Sequence, residues 1–479
     1  MMTLFLGIMP VFVAIVCLVF RRGPVVAAGG GLVAAALITV AGPFTLEAED
    51  FAKALPYAGL TFEVLTILLF GMILARLLQY TGAMKQIADF IEQSAPSRMA
   101  GTALVVFGVV PFAESVTGFG IGITVGVPIL LSLGHPAPRA TLLGLLGMIA
   151  VPWGAMGPGT AVAASLAGLD LDALGVATGT VNIVPTLISA GTVLWICRKD
   201  CNFSNSFRLF GTAVALWASI LAANKLIGTP PAGVFGSLIV IFGLLFIFRG
   251  RGKQIGFDSE LFRSLAPYTV LTVGILTTRL LLRGNDHLLA QIAVSPSTWL
   301  AIACLVVPLV LPASNFGKQL PDAMRAWIPV GFSTAGFMLM GWLMSVNGMS
   351  ETIGSAVSFA GTAPGPFLTS AGSILTGSNT GANAMFMSTV LALAESSGSE
   401  ILGMVAIANA SGSFAAMANP PRVAMAVALA FAGKSADPER SHNPDLLKIT
   451  SRTLVVTIVI SGIATTLLAV AGAAGLPHR

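Results

Sequence analysis

Apolar runs of about 17 to 25 residues recur along this chain between short polar stretches, each long enough for a helix to cross roughly 30 Å of hydrocarbon. Twelve spans are predicted, at about 2–20, 24–43, 57–79, 139–166, 172–197, 207–227, 230–248, 264–283, 297–313, 324–346, 400–432 and 450–475. Two further apolar segments, about 101–134 and 366–395, carry polar residues in their middles with Gly and Pro nearby. They read as re-entrant hairpins, because non-helical backbone at membrane depth persists only where protein shields it or it lines an aqueous cavity. Stretches at about 82–95 and 350–363 precede the hairpins; the first has helical charge periodicity and is predicted to lie along the interface.

Composition fixes the class: 55% of residues are hydrophobic and 9% charged, so the chain is an all-α integral membrane protein with the lipid bilayer as its surroundings. The basic residues are scattered through short loops, which gives no face for nucleic acid. Cys17, Cys197, Cys201 and Cys304 read as buried thiols, and neither they nor His135, His287, His442 and His478 have metal-ligand companions. Most basic residues, Arg21, Arg22, Arg98, Arg139, Arg198 and Arg208 among them, fall on one side of this topology, while Glu47, Asp50, Asp170, Asp172 and Glu400 fall on the other. Lys53, Lys225, Arg279 and Arg283 are exceptions; Arg279 and Arg283 share a helix face and are expected to snorkel outward. Cytoplasmic loops are rich in Lys and Arg, so the expected arrangement is multi-pass in the inner (cytoplasmic) membrane, with both termini outside. The first hairpin then opens from the cytoplasm and the second from outside.

The two polar tips resemble each other. Residues 114–120 and 377–383 share Ser-x-Thr-Gly, at Ser115, Thr117 and Gly118 and at Ser378, Thr380 and Gly381. Shifting the first half by about 260 to 270 residues places its spans on those of the second half. A first repeat, 1–198, a two-helix linker, 199–263, and a second repeat, 264–479, follow, and five spans plus a two-span linker start the second copy on the opposite side of the membrane, which makes the duplication inverted, as in secondary transporters. Each copy also has an interrupted span. Pro152 to Pro158 breaks about 139–166, and Ala416 to Arg422 breaks about 400–432, since proline removes a helix donor and clashes with the preceding turn. Broken helices present free amides at the N-termini of their second halves, which favour an anion. Trp153, beside the first break, either walls the cavity or packs.

These segments resemble the lactate permease family. Pro111 to Gly120 is similar to that family's Phe-Leu-Glu-Gly-Ala-Ala-Gly-Phe-Gly, matching at Glu114, Gly118, Phe119 and Gly120; Gly154 to Gly157 resembles its Phe-Gly-Ala-Met/Val-Gly. Thr376 to Thr380 resembles its Thr-Gly-Ser-Asp-Thr, Asn383 to Phe386 its Asn-Ala-Leu-Phe, and Ala408 to Gly412 its Ala-Asn-Ser/Thr-Ser-Gly. The resemblance implies proton-coupled uptake of lactate and related 2-hydroxy monocarboxylates such as glycolate. Asn379 stands where the family has Asp, and Met417 where it has Lys, with Arg422 at its Gln position. Ser-Asn-Thr at the second tip is also similar, more loosely, to sodium-coupled dicarboxylate carriers, which implies an elevator-like motion and a homodimer. By that analogy spans three and four, ten and eleven and the hairpins form the transport domain.

Glu114 is the expected proton-coupling residue, as a carboxyl beside a helix break at membrane depth; its alternative is a structural acid pairing Arg422. Arg422 is the expected carboxylate clamp, using its forked guanidinium, or else it snorkels. Ser115, Thr117, Gly118, Ser378, Asn379, Thr380, Asn383 and Asn419 are expected to line the substrate, some of them only satisfying freed backbone groups. Glu63 and Arg76 are each expected to pair with another span or to lie near a membrane surface. Nucleophile-elbow, zinc-protease and phosphate-loop motifs are absent, so the chain is read as no enzyme and as needing no cofactor beyond H+ as coupling ion. Sodium coupling to another small organic anion, or an anion channel, are the alternatives.

Overall fold

Helices fill this chain because in lipid each backbone donor must find its acceptor within its own segment. The structure, a computed structural model, describes residues 1–118, 120–200, 202–249, 258–282, 284–285, 287–311, 316–431 and 444–473. Phe119, Cys201, Arg283, His442 and His478 lie outside the described residues. Among the described residues there is no strand, and 11 helices are long and apolar enough to cross a membrane, or up to 13 if each bent pair is one span. The chain is a multi-pass membrane protein. Outward-facing Phe5, Phe12, Val40, Leu55, Phe246 and Leu309 are exposed, as lipid-facing side chains are.

Three departures from the expected spans have local causes. The third span is a 33-residue helix, Ala48–Tyr80, which starts earlier because Glu47 and Asp50 cap it reciprocally, the Glu47 amide donating to Asp50 Oδ2 at 3.0 Å. The ninth is a pair, Leu288–Val294 and Pro296–Val310, bent by 57° where Ser295, held extended ahead of Pro296, caps the second piece. The first hairpin's leading arm, Arg98–Thr117, has 20 residues and is long enough to cross by itself. A π-helical turn at Val105–Val109 lies just before Pro111, where the proline ring collides with a regular helix. The returning arm is Ile121–Ser132, and the second hairpin is Pro364–Thr376 with Asn379–Ser396.

Two sets of helices can be distinguished by what they pack against. Met2–Val19, Pro24–Ala41, Ala48–Tyr80, Ser259–Leu281, Pro296–Val310 and Phe316–Val346 pack mainly on one another. Side-chain donors lock them: the Tyr57 hydroxyl donates to Met338 O at 3.0 Å, the Trp327 indole to Leu65 O at 3.2 Å and the Asn347 amide to Thr39 Oγ1 at 2.9 Å. The other set holds both hairpins, both broken helices, the linker helices Phe203–Leu226 and Ala232–Arg249, and Pro444–Ala473. The third and tenth spans therefore pack chiefly with the outer helices, whereas the analogy placed them with the hairpins. They also pack on the inner set, with Gly71 against Thr117 O and Gly341 against Ala384 O. The short helices Ala83–Ser94 and Met349–Val357 connect the sets ahead of each hairpin.

At the base of the first hairpin His135 is buried, with its Nε2 2.7 Å from Thr102 Oγ1. Burial, with Arg98 and Arg139 nearby and against the pull of Asp200, pushes the imidazole down to about 4. The folded state therefore resists protonation, and stability present above pH 6.5 is lost as pH falls towards about 4. We expect the melting temperature of the detergent-solubilised protein to drop between pH 7 and 5, and His135→Asn to flatten that drop. A second expectation concerns packing. A Cβ at Gly341 would stand 1.8 Å from Ala384 O, so Gly341→Val should force the tenth span off the second hairpin and cost about 1–3 kcal/mol, read as a lower melting temperature.

Candidate functional site

Each hairpin tip is built to seal a helix break. In the first broken helix the chain runs from Ala137–Leu146 through the 3-10 turns Met148–Met156, takes left-handed backbone at Ala155 (φ 48°), Met156 (φ 67°) and Gly157 (φ 78°), and restarts as Pro158–Leu166. The carbonyls released by this break are claimed by neighbours. Thr160 Oγ1 donates to Pro152 O at 2.7 Å, Asn182 Nδ2 to Ile149 O at 3.1 Å and Ser189 Oγ to Leu146 O at 2.9 Å. The first hairpin tip sits on this break so closely that a Cβ at Gly118 would meet the Ala155 Cβ at 2.8 Å. Gly118 itself has φ 70°, which favours glycine.

The second break is shorter. Ile401–Ala415 passes through one 3-10 turn, the chain extends at Asn419 (ψ 126°), and Pro420–Phe431 begins. Asn419 ties it to the second hairpin: its Nδ2 donates to Ile374 O at 2.9 Å, while its Oδ1 accepts the Arg422 amide at 3.2 Å and caps the new helix. Gly377 (φ 69°) at the tip lies directly against the Asn419 side chain.

The four elements also cross over. The second hairpin reaches the start of the first broken helix's second half, where Gly159 packs on Asn379 and Asn383 Nδ2 donates to Gly159 O at 2.9 Å. The first hairpin reaches the corresponding start in the second, where Gly120 packs on Met425, and Glu114 and Arg422 act on each other electrostatically without a contact ion pair among the described residues. Glu114 is fully buried against Gly154, and its carboxylate accepts the Gly120 amide at 3.0 Å. Arg422 is also buried, and its Nη1 lies 3.7 Å from Met148 Sδ.

At the centre sits a buried amide cluster. Asn409 Oδ1 accepts from Asn379 Nδ2 at 3.0 Å and from Asn383 Nδ2 at 2.8 Å, and Asn409 Nδ2 donates to Thr160 Oγ1 at 3.0 Å and Thr178 Oγ1 at 3.2 Å. Asn379 Oδ1 and Asn383 Oδ1 have no hydrogen-bond partner, and neither do the buried hydroxyls of Ser373, Ser411 and Ser413. Unsatisfied buried polar atoms are costly and few in native proteins, so a group of them around two hairpin-and-break junctions marks a place for a polar guest.

The expected residues divide. Glu114 and Arg422 meet electrostatically at one crossing, and Asn379, Thr380 and Asn383 lie at the other, beside Gly159. Ser378 is half-buried at the tip and caps Asn379–Ser396 by accepting the Gly381 amide. Thr117 donates back to Ala113 O at 2.6 Å, and Asn419 is committed at both ends, so these two serve the backbone. Ser115 has an unpartnered hydroxyl but faces Gly233 of the linker helix, and Trp153 packs, donating to Asn224 Oδ1 at 3.1 Å. Glu63 accepts from Ser295 Oγ. Arg279 does not snorkel outward: it lies against Gly228 and donates to Ile227 O. Asn409 and Thr160 were missed as site residues, although Asn409 stands in one of the matched segments; an amide alone in an apolar run was the signal.

Residues 287–471 match the family model described as L-lactate permease. That match takes in the second hairpin and second break, and leaves Glu114 and the first break outside it. An L-lactate permease of Streptococcus iniae is 24% identical over 425 residues, covering 80% of this chain and 88% of that protein.

Because Asn409 holds four partners from three other helices, Asn409→Ala should leave at least two of them unsatisfied and cost about 2–4 kcal/mol. A melting curve checks the stability. Asn409→Asp adds charge to the cluster while keeping its shape, and substrate protection against heating should fall in that variant.

Proposed function

We propose that this chain, a member of the lactate permease family, carries lactate, glycolate or a related small monocarboxylate across the inner (cytoplasmic) membrane by proton symport, with an elevator-like alternating-access motion. The observation that carries this reading is the crossed contact of two hairpin tips with two broken helices: Glu114 and Arg422 act on each other at one crossing, and the Asn379, Asn383 and Asn409 amides bond together at the other. The reciprocity of those contacts supports an inverted repeat, with each tip serving its own break and the other's.

Charge accounting gives the mechanism. With the site empty, Glu114 as carboxylate and Arg422 as guanidinium sum to zero. A bound monocarboxylate takes the guanidinium by a bidentate pair, and a proton on Glu114 cancels the charge left behind. Empty and loaded sites are both neutral, so neither carries a net charge through a low-dielectric barrier, where an unpaired ion is prohibitive. The Asn379 and Asn383 carbonyls, free in the structure, accept from the substrate's 2-hydroxyl. Lactate and glycolate present the same carboxylate and hydroxyl and differ by one methyl group.

The helix set holding the hairpins, both broken helices and the linker moves as the transport body, and the outer set is the scaffold. In a homodimer the outer helices make the contact. Orientation follows the charge bias, so cysteines introduced near Met1 should react with impermeant reagents from outside.

Purified protein in liposomes should accumulate labelled lactate when a proton gradient is imposed and be indifferent to a sodium gradient. Glu114→Gln should abolish proton-driven accumulation yet keep exchange of internal for external lactate, because the neutral glutamine mimics the protonated acid. Arg422→Ala should raise the lactate KM by at least about tenfold. Accumulation driven by sodium alone, or Glu114→Gln uptake with unchanged proton dependence, overturns the coupling.

A further inference from the structure

A groove of about 450 Å³ lies between the leading arm of the first hairpin and the two linker helices, remote from the junction described above. Its walls are Met99, Ala100 and Ala103 from the hairpin arm, Leu209 and Ala215 from Phe203–Leu226, and Ile239, Leu244, Ile247 and Phe248 from Ala232–Arg249. Of its polar groups, Ser97, Asn205 and Arg208 come from the ends of these helices that lie together, and Thr212, further along, has its hydroxyl donated to Arg208 O. From Asn205 to Ala215 the groove runs roughly 15 Å along its helix, from the membrane surface into the hydrocarbon.

Two features show that the groove is open and faces lipid. A Cβ placed on Gly211 or Gly243, which both line it, would meet nothing within 4 Å. Phe207, Phe242, Phe246 and Ile247 around it are exposed. Arg208 at its mouth makes no ion pair among the described residues, whereas Arg98 and Arg139 nearby are both taken by Asp200. A dry apolar channel with one uncompensated cation at its surface end complements an amphiphile with an anionic head.

We propose that this groove binds one anionic phospholipid, with an acyl chain along Gly211 and Gly243 and its phosphate on Arg208, with Asn205 and Ser97 beside it. The groove is a gap left in the seam between that buried arm and the two linker helices, and the lipid fills it. Anionic lipid also accumulates at the surface where Arg208 and the neighbouring Arg198 and Lys199 are expected, the cytoplasmic one. The inference is independent of the transported substrate.

The test is native mass spectrometry of the delipidated full-length protein titrated with phosphatidylglycerol or phosphatidylcholine, alongside melting curves in each lipid. Wild type should retain phosphatidylglycerol in preference and melt higher with it. Arg208→Gln should lose that preference by roughly fivefold while still binding both lipids weakly. Gly243→Leu, which fills open space and disturbs no packed neighbour, should fold normally and lose the tightest bound lipid of either kind. Equal retention of the two lipids by wild type, or lipid binding unaltered in Gly243→Leu, overturns the proposal. So does a wild-type dimer that Gly243→Leu splits, since the groove would then hold a second copy of the chain.

Discussion

The structure depends on one constraint: backbone released by a break in a membrane helix must be satisfied inside the protein. A break without a partner leaves several amides and carbonyls stranded at a cost of some kcal/mol each. Both breaks here are answered twice, once by side-chain hydrogen bonds and once by a hairpin tip that lies against them. The first recruits Thr160, Asn182 and Ser189; the second uses Asn419 alone, whose side chain bonds in both directions. The glycines at the tips follow from this closeness, since a side chain at Gly118 or Gly377 would occupy the space of Ala155 or Asn419.

This sealing explains why the polar centre is an amide cluster and not a chain of charges. Asparagine both donates and accepts, so Asn409 can join two hairpin residues to two hydroxyls on separate helices while adding no net charge to the membrane interior. Loss of an ionisable group at position 379, relative to the aspartate of the lactate permeases, belongs to the same economy. With an amide there, Glu114 is, among the described residues, the carboxyl group that acts on Arg422, and the two charges are opposite.

Much of this was legible in the sequence. Apolar run length located the spans, and proline with glycine in register located both breaks, because those residues act on the backbone directly. What side chains do across helices was not legible. Thr117 and Asn419 look like ligands in a one-dimensional reading, since a polar residue near a break has the same appearance whether it caps a helix or meets a substrate. Ser115 faces the linker because Gly233 of a helix more than a hundred residues away admits it. Asn409 was passed over for the opposite reason: it stands in an otherwise regular helix, with no proline or glycine break adjacent to announce it. The proline-linked bend before Pro296 and the Glu47 cap are local signals, readable in principle, that apolar run length overrides.

The position of the linker helices bears on how the protein works. Gly233 packs between Ser115 and Trp153, and Trp153 donates to Asn224 on the other linker helix, so both linker helices are fastened to the first hairpin and its break. Arg279 from the outer set then reaches across to Ile227 and Gly228, in the turn between those linker helices, with Asp172 and Glu63 close enough to act on its charge. Any sliding of the inner set past the outer one must therefore break this contact, together with the one at Gly341, which lies close against Ala384 O and whose carbonyl accepts from Ser388 Oγ.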